Sequence, residues 1–163
     1  MNEHEKKALI VVKGFAKKLP RFPDGRIDYS SSDIAPVTTV FIKYEGRILL
    51  LKRSDKVSTY QGKWNSVSGY LDEIVPIREK ILEELWEEVG IKEENIKSLI
   101  LGKDYEFTHN KKTWNVYPAL AELKNKPIIE LDWEHTEYKW IKPEELKNFD
   151  TVPELDKGLK NVL

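Results

Sequence analysis

The segment 76–90 constrains the fold most, because it carries the pattern of one amphipathic helix. Pro76 suits the first turn of a helix, and Gly90 is placed to end it. Between them, apolar residues recur at helical spacing: Ile81, Leu82, Leu85, Trp86 and Val89. We predict a helix that packs on a sheet through the face bearing Leu82, Leu85 and Val89.

The same helix carries three glutamates on another face. At about 100° per residue, Glu84, Glu87 and Glu88 fall within roughly one third of the circumference. Glu84 and Glu88 are like charges at i,i+4, which costs a few tenths of a kcal/mol in an isolated helix. A divalent cation bound by both carboxylates would make their proximity favourable, and hard carboxylate oxygens suit magnesium or manganese. An acidic helix face alone is more often a solvated surface, so the flanking sequence decides the interpretation.

The flanking segments carry strand patterns. Residues 37–44 and 47–53 are β-branched and aliphatic, and GluGly at 45–46 makes them a predicted hairpin. Further strands are predicted at 65–70, 96–105, 113–123 and 138–141, and helices at 143–147 and 153–163. Strands surrounding one strong helix predict an α+β sandwich. Residues 1–36 show only a turn at 22–25, a short strand at 27–29 and a loop at 30–33.

Composition narrows the class of protein. The chain has 163 residues, which suits one compact domain, and its net charge of −1 gives no general attraction to nucleic acid. It has no cysteine, so disulfides, thiolate metal sites and a cysteine nucleophile are excluded. No apolar run approaches the roughly 18 residues of a membrane span. We therefore expect a cytoplasmic protein that does not bind membranes.

The segment 69–91 resembles the Nudix box, the signature of the Nudix (MutT-like) hydrolases. Matching residues stand at the right spacing without a gap: Gly69, Glu84, Leu85, Glu87, Glu88, Gly90 and Ile91. The likeness covers about 37–146, because 48–53 with 62–65 and 137–146 look like the family's flanking strands and closing helix. It implies an α/β/α sandwich with a mixed sheet and a central catalytic helix. We divide the single domain 1–163 into an extension (1–36), a core (37–146) and a C-terminal helix (147–163).

Two positions depart from the family pattern. Val75 stands where the family has its first Glu, and Glu83 stands where it has an Arg that is thought to orient the acidic residues. An ionised glutamate cannot donate such hydrogen bonds. Either the two changes are a matched loss of one supporting interaction, or the site has decayed to nucleotide binding without hydrolysis. Lys80, at i+3 from Glu83 and i+4 from Glu84, could partly neutralise the cluster.

The resemblance implies roles for individual residues. Glu84 and Glu88 would be the first metal ligands, with Glu87 as a third ligand or orienting partner and the Gly69 carbonyl as a further ligand. Glu84 is one candidate general base. Glu134, six residues before Trp140, holds a place where some relatives carry a further acid, so we count Glu84, Glu87 and Glu134 as catalytic candidates.

Candidate substrate contacts come from a cation and from aromatic residues. Arg53 could bind a phosphate bidentately or form a surface ion pair. Trp64 and Trp114 could stack on a base or ribose, although tryptophan is usually a core residue. Gly69 is placed to lie beside the bound phosphates.

The expected function is magnesium-dependent hydrolysis of the diphosphate linkage in a nucleoside diphosphate derivative, with manganese as a possible substitute. The alternative is a catalytically weakened Nudix module that binds nucleotide or RNA. A local basic face (Lys52, Arg53, Lys56, Lys63, Lys111 and Lys112) leaves nucleic acid possible but not favoured. Family members are often dimers, so a homodimer is possible.

Overall fold

The computed structural model describes all residues 1–163 and contains three α-helices and eight strands. The helices are α1 (Glu3–Lys18), α2 (Ile77–Val89) and α3 (Leu155–Lys160), with 3₁₀ helices at Glu93–Asn95 and Pro143–Asn148. The strands are β1 (Ile34–Tyr44), β2 (Arg47–Arg53), β3 (Trp64–Asn65), β4 (Val67–Tyr70), β5 (Ile96–Leu101), β6 (Tyr105–His109), β7 (Lys112–Leu123) and β8 (His135–Ile141). No helix combines the length and the apolar character needed to cross a membrane.

Strand β1 organises the sheet. It pairs in parallel with β7 along Ile34–Lys43 and antiparallel with β4 and then β2 on its other edge. The remaining pairs are antiparallel: β5 and β6 with β7, and β3 and β8 with β2. The predicted mixed sheet is confirmed.

The sheet is buried on both faces, because alternate residues of its strands enter different apolar clusters. Val40 and Ile42 belong to a larger cluster shared with α1 and α2. Phe41, between them, belongs to a smaller cluster shared with α3 and the second 3₁₀ helix. Helices therefore cover the two faces of one sheet, and the predicted α/β/α sandwich is confirmed. We continue to treat the chain as a single domain.

Helix α1 lies in the region that the sequence left without a predicted helix. Asn2 caps it, since its side chain accepts from Glu5 N at 2.9 Å while the Glu5 carboxylate accepts from Asn2 N at 2.7 Å. Ala8 and Val12, four residues apart, are buried in the larger cluster. The capping box and this spacing were signals in the sequence that could have indicated the helix.

Two other predictions need correction. The strand predicted at 96–105 is two strands, because the chain breaks at Gly102, where the Asn161 carbonyl leaves no room for a side chain. The C-terminal segment predicted as a helix over 153–163 is helical only in α3.

Candidate active site

A single cavity of about 760 Å³ opens beside α2 and β4. One end, which we call the acidic end, is lined by Asp72, Glu73, Lys80, Glu83, Glu84, Glu87 and Glu134. The other, the aromatic end, is lined by Tyr70, Tyr105, Phe107 and Trp114. Arg53 also lines the cavity. The sequence places acids and aromatic rings in one space because β4 leads from the sheet directly towards α2.

Gly69, on β4, lies directly against Glu84. A Cβ at position 69 would stand 2.5 Å from Glu84 Oε1, so any side chain there would displace the carboxylate. The glycine therefore permits the backbone and the glutamate to approach closely. This brings together two residues that the sequence analysis placed at the metal site.

Glu88 is the most deeply buried of the three helix glutamates, with 1% of its surface exposed. Its Oε1 accepts from Ser68 N at 3.4 Å and lies 3.7 Å from His135 Nε2, while Oε2 has no hydrogen-bond partner. Burial, followed by the neighbouring Glu84 carboxylate, raises the pKa of Glu88 well above its ordinary range. Burial also raises the pKa of Glu84. A cation bound by these two carboxyl groups would offset their mutual repulsion and displace their protons to solvent.

Lys80 is buried among acids at this end of the cavity. Its side chain is 6% exposed, and Nζ lies 2.9 Å from Asp72, 3.3 Å from Glu73, 3.5 Å from Glu83 and 3.8 Å from Glu84. Burial lowers the pKa of Lys80, but the ion pair with Asp72 and the charges of Glu83 and Glu84 outweigh it, so the net shift is upward. The predicted proximity of Lys80 to Glu83 and Glu84 is confirmed.

Glu134 and Arg53 face the cavity near each other. Burial, then the negative charges of Asp132 and Glu84, raise the pKa of Glu134 to about 7, and Arg53 opposes the shift. Arg53 forms no ion pair; its Nε donates to the Thr59 carbonyl at 3.0 Å, which holds the side chain against the loop 54–63. The surface ion pair that was the alternative role for Arg53 is therefore absent.

The aromatic end is assembled from distant parts of the chain. Tyr70 of β4 contacts Trp114 of β7, with ring centroids 5.8 Å apart, and stacks on Tyr29 at the same separation. Lys112 Nζ lies 5.3 Å from the Trp114 ring centroid. Tyr70 is 41% exposed, so a flat surface remains open to a ligand.

Of the other predicted site residues, Glu87 lines the cavity, whereas the buried Glu88 and Trp64 do not. Trp64 is buried in the smaller cluster, where its ring packs edge-on against Phe149 at 5.4 Å. We therefore withdraw the predicted substrate contact for Trp64. Sequence reasoning missed Tyr70 and His135; the polar flanks of His135, Glu134 and Thr136, give no sign of its burial against Glu88.

The basic face that could attract RNA is partly neutralised. Lys63 pairs with Asp150 at 2.9 Å, and Lys52 approaches Glu137 at 4.0 Å. Lys112 is turned towards Tyr29 and the Trp114 ring. With Arg53 held by the Thr59 carbonyl, four of the six cations are thus engaged within the chain.

The residues at the acidic end fit a hard divalent cation in their chemistry. Glu88 Oε2 is a buried, unpartnered carboxylate oxygen, and Glu84 and the Gly69 backbone lie beside the same helix face. No three acidic or imidazole groups surround one point in the present side-chain arrangement, in which Glu84 faces Lys80. The donor set therefore fits the ion, and a bound ion would replace Lys80 as the nearest charge to Glu84.

Comparison with known proteins gives a consistent result. The profile of the NUDIX domain matches residues 33–162. Curated protein sequences give no significant match.

Several solved structures share the fold. A MutT protein from Methanosarcina mazei Go1 is 24% identical with a TM-score of 0.66, over 78% of this chain and 91% of that one. A C. elegans Ap4A hydrolase, solved as a binary complex, is 21% identical with a TM-score of 0.62, over 78% and 93%. A bifunctional NMN adenylyltransferase/ADP ribose pyrophosphatase from Francisella tularensis, complexed with AMP and a Mn ion, is 18% identical with a TM-score of 0.63, over 96% and 46%.

Proposed function

This chain is an enzyme of the Nudix hydrolase family, and we propose that it hydrolyses the diphosphate linkage of a nucleoside diphosphate derivative with magnesium or manganese. The observation that carries the proposal is the meeting of carboxylates and an open aromatic surface in one cavity. A diphosphate needs a cation held by hard oxygen ligands, whereas a nucleobase needs a flat apolar surface. The Ap4A hydrolase and the AMP complex with manganese among the structural neighbours agree with this substrate class.

The acidic end would hold the metal ion. Glu84 and Glu88 are the proposed first ligands, Glu87 the third ligand or orienting partner, and the Gly69 carbonyl a further ligand. When bound, the cation offsets the charge of the diphosphate and polarises its P–O bonds. Arg53, which lines the cavity and forms no ion pair with an acid, is the proposed phosphate contact.

Glu134 is the proposed general base. A group with a pKa of about 7 is half ionised at neutral pH and can accept a proton from water. The water oxygen forms a bond to one phosphorus while the bridging P–O bond breaks, and Glu134 takes the proton. Glu84 is less suited to this role, since it contacts Lys80 and is proposed as a ligand.

The test is release of nucleoside monophosphate and phosphate across a panel of ADP-ribose, nucleoside triphosphates, dinucleoside polyphosphates and sugar nucleotides, with Mg²⁺ or Mn²⁺. We expect turnover that is lost in Glu84→Gln and retained in Glu79→Gln, a solvent-exposed glutamate of the same helix. Metal binding without turnover on any member would instead indicate a binding module.

A further inference from the structure

We propose that the Lys80–Asp72 ion pair, held in place by residues 1–29, positions the metal ligands in this chain. It would replace the support that other family members take from their Glu and Arg at positions 75 and 83. The inference rests on the proposed function only in treating Glu84 and Glu88 as metal ligands.

The ion pair joins the two pieces of backbone that carry the proposed ligands. Asp72 lies in the loop that follows β4, three residues after Gly69, and Lys80 lies on α2, one turn before Glu84. The 2.9 Å contact between them is buried, with 6% of the Lys80 side chain and 10% of the Asp72 side chain exposed. Moving the loop away from the helix would separate this pair and leave a buried charge without its partner. The ion pair therefore holds the loop and the helix in one relative position.

The N-terminal segment fixes Asp72 from the opposite side. Ile27 N donates to the Asp72 carbonyl at 2.8 Å, and Arg26 Nη1 lies 3.6 Å from Asp72 Oδ2. The buried Tyr29 hydroxyl donates to the Leu71 carbonyl at 2.7 Å. All three residues precede the part of the chain that matches the family profile, which begins at residue 33.

Helix α1 explains why the family's first glutamate is absent. Val75 shares a small, mostly apolar void with Ala8, Leu9 and Val12 of α1, and Glu73 and Lys80 also line it, so a carboxylate at this position would lie against hydrocarbon and compete for Lys80. The start of α2 is also tied to α1 by Glu5, whose 6% exposed carboxylate lies 3.2 Å from Arg78 Nε. With valine at 75, an arginine at 83 would lack its acidic partner, and Glu83 instead lies 3.5 Å from Lys80.

Substitution of Lys80 distinguishes a positioning role from simple charge neutralisation, because the two roles predict opposite changes in the affinity for a cation. If Lys80 only neutralised acids, Lys80→Met would remove a positive charge and tighten cation binding. If Lys80 positions the ligands, the same change releases the loop from the helix and weakens binding. Loss of residues that orient metal ligands costs about 10- to 100-fold in metal affinity or activity.

The experiment is titration of the full chain with Mn²⁺, without substrate, followed by electron paramagnetic resonance, together with amide hydrogen exchange across α2. We expect Lys80→Met to weaken Mn²⁺ affinity at least about 10-fold and to speed exchange in α2. Lys80→Arg should restore most of the affinity. The control is Lys63→Met, which removes an ion pair of 2.9 Å with Asp150 that lies outside residues 1–29 and outside the cavity lining, and it should change neither readout.

Unchanged or tighter Mn²⁺ binding in Lys80→Met would overturn the proposal. If Lys80→Met does not fold, Arg26→Gln provides a second test, because it removes the half-exposed outer contact to Asp72 together with the exposed 2.7 Å ion pair to Asp24 and leaves the buried Lys80–Asp72 pair in place. Weaker binding in that variant supports positioning, and equal or tighter binding refutes it. Wild-type turnover tests the proposed function separately, so either proposal can fail without the other.

Discussion

The two ends of the cavity differ in how the chain builds them. The acidic end comes mostly from the continuous segment 69–88, and its carboxyl groups are held in buried positions where their pKa values rise. The aromatic end joins Tyr70 to residues of β6 and β7 far along the chain, and its rings already contact one another. We infer that the acidic end is poised for a cation, whereas the aromatic end is complete without a ligand. Substitutions at the acidic end should therefore alter kcat, and substitutions at the aromatic end should alter KM.

The largest effect is expected from Glu88→Gln. Loss of a proposed metal ligand should lower kcat by about 100-fold or more, which corresponds to about 2.7 kcal/mol of transition-state stabilisation. Steady-state kinetics at saturating Mn²⁺ checks this, with Glu79→Gln as the matched control. An equal kcat in both variants would remove Glu88 from the site.

Val75→Glu should destabilise the protein, although it restores a family residue. The new carboxylate would lie against Ala8, Leu9 and Val12 and compete with Asp72 and Glu73 for Lys80, so one acid would lose its partner at a cost of about 1–3 kcal/mol. Urea denaturation measures the change, and Val75→Leu serves as the apolar control. If Val75→Glu unfolds at the same urea concentration as the wild type, α1 does not determine the residue at this position.

Trp114→Ala should raise KM for a nucleotide substrate about 10-fold with little change in kcat, because stacking of one base contributes about 1–3 kcal/mol. Trp86→Ala, an exposed tryptophan of α2 outside the cavity, is the control. A fall in kcat at constant KM would show that the two ends are not functionally separate.

The smallest effect concerns the pH dependence of stability without metal. Because the pKa of Glu134 is raised to about 7 from an ordinary value of 4.5, the folded state binds its proton more tightly than the unfolded state. The contribution of Glu134 to the free energy of unfolding is therefore present below pH 4.5 and is lost as the pH rises towards 7. Glu134→Gln should therefore match the wild type near pH 4.5 and exceed it at pH 8.

Thermal unfolding of both proteins at the two pH values checks this prediction. The lowered pKa of His135 acts in the opposite direction, but both proteins carry His135, so its contribution cancels in the difference. A Glu134→Gln advantage that is constant across pH would show that Glu134 ionises normally.

The contrast between the acidic and the aromatic end also explains which parts of the site could be predicted from the sequence. Glu84 and Glu87 could be brought together from local spacing, since one helix fixes their relation, and the resemblance to the Nudix box placed Gly69 beside them. Tyr70 and Trp114 are 44 positions apart, and only the pairing of β4 and β7 with β1 joins them. Trp64 was misjudged for a similar reason, because its partner Phe149 belongs to the C-terminal region.

Helix α1 could have been recognised from its capping box, but its effect on the site could not. The contact of α1 with Val75 depends on a packing of two helices that no local pattern encodes. The departures at Val75 and Glu83 were visible in the sequence, whereas the Asp72–Lys80 contact became clear only in three dimensions.

The most direct test of the two-ended cavity compares wild-type kcat/KM for the nucleotide of the substrate panel that is hydrolysed fastest with that for the same molecule lacking its base, with Mn²⁺ present. We expect hydrolysis of both at the diphosphate, with the nucleotide favoured about 10-fold through a lower KM. Equal kcat/KM for the two molecules, or no hydrolysis of any member of the panel, would contradict this expectation.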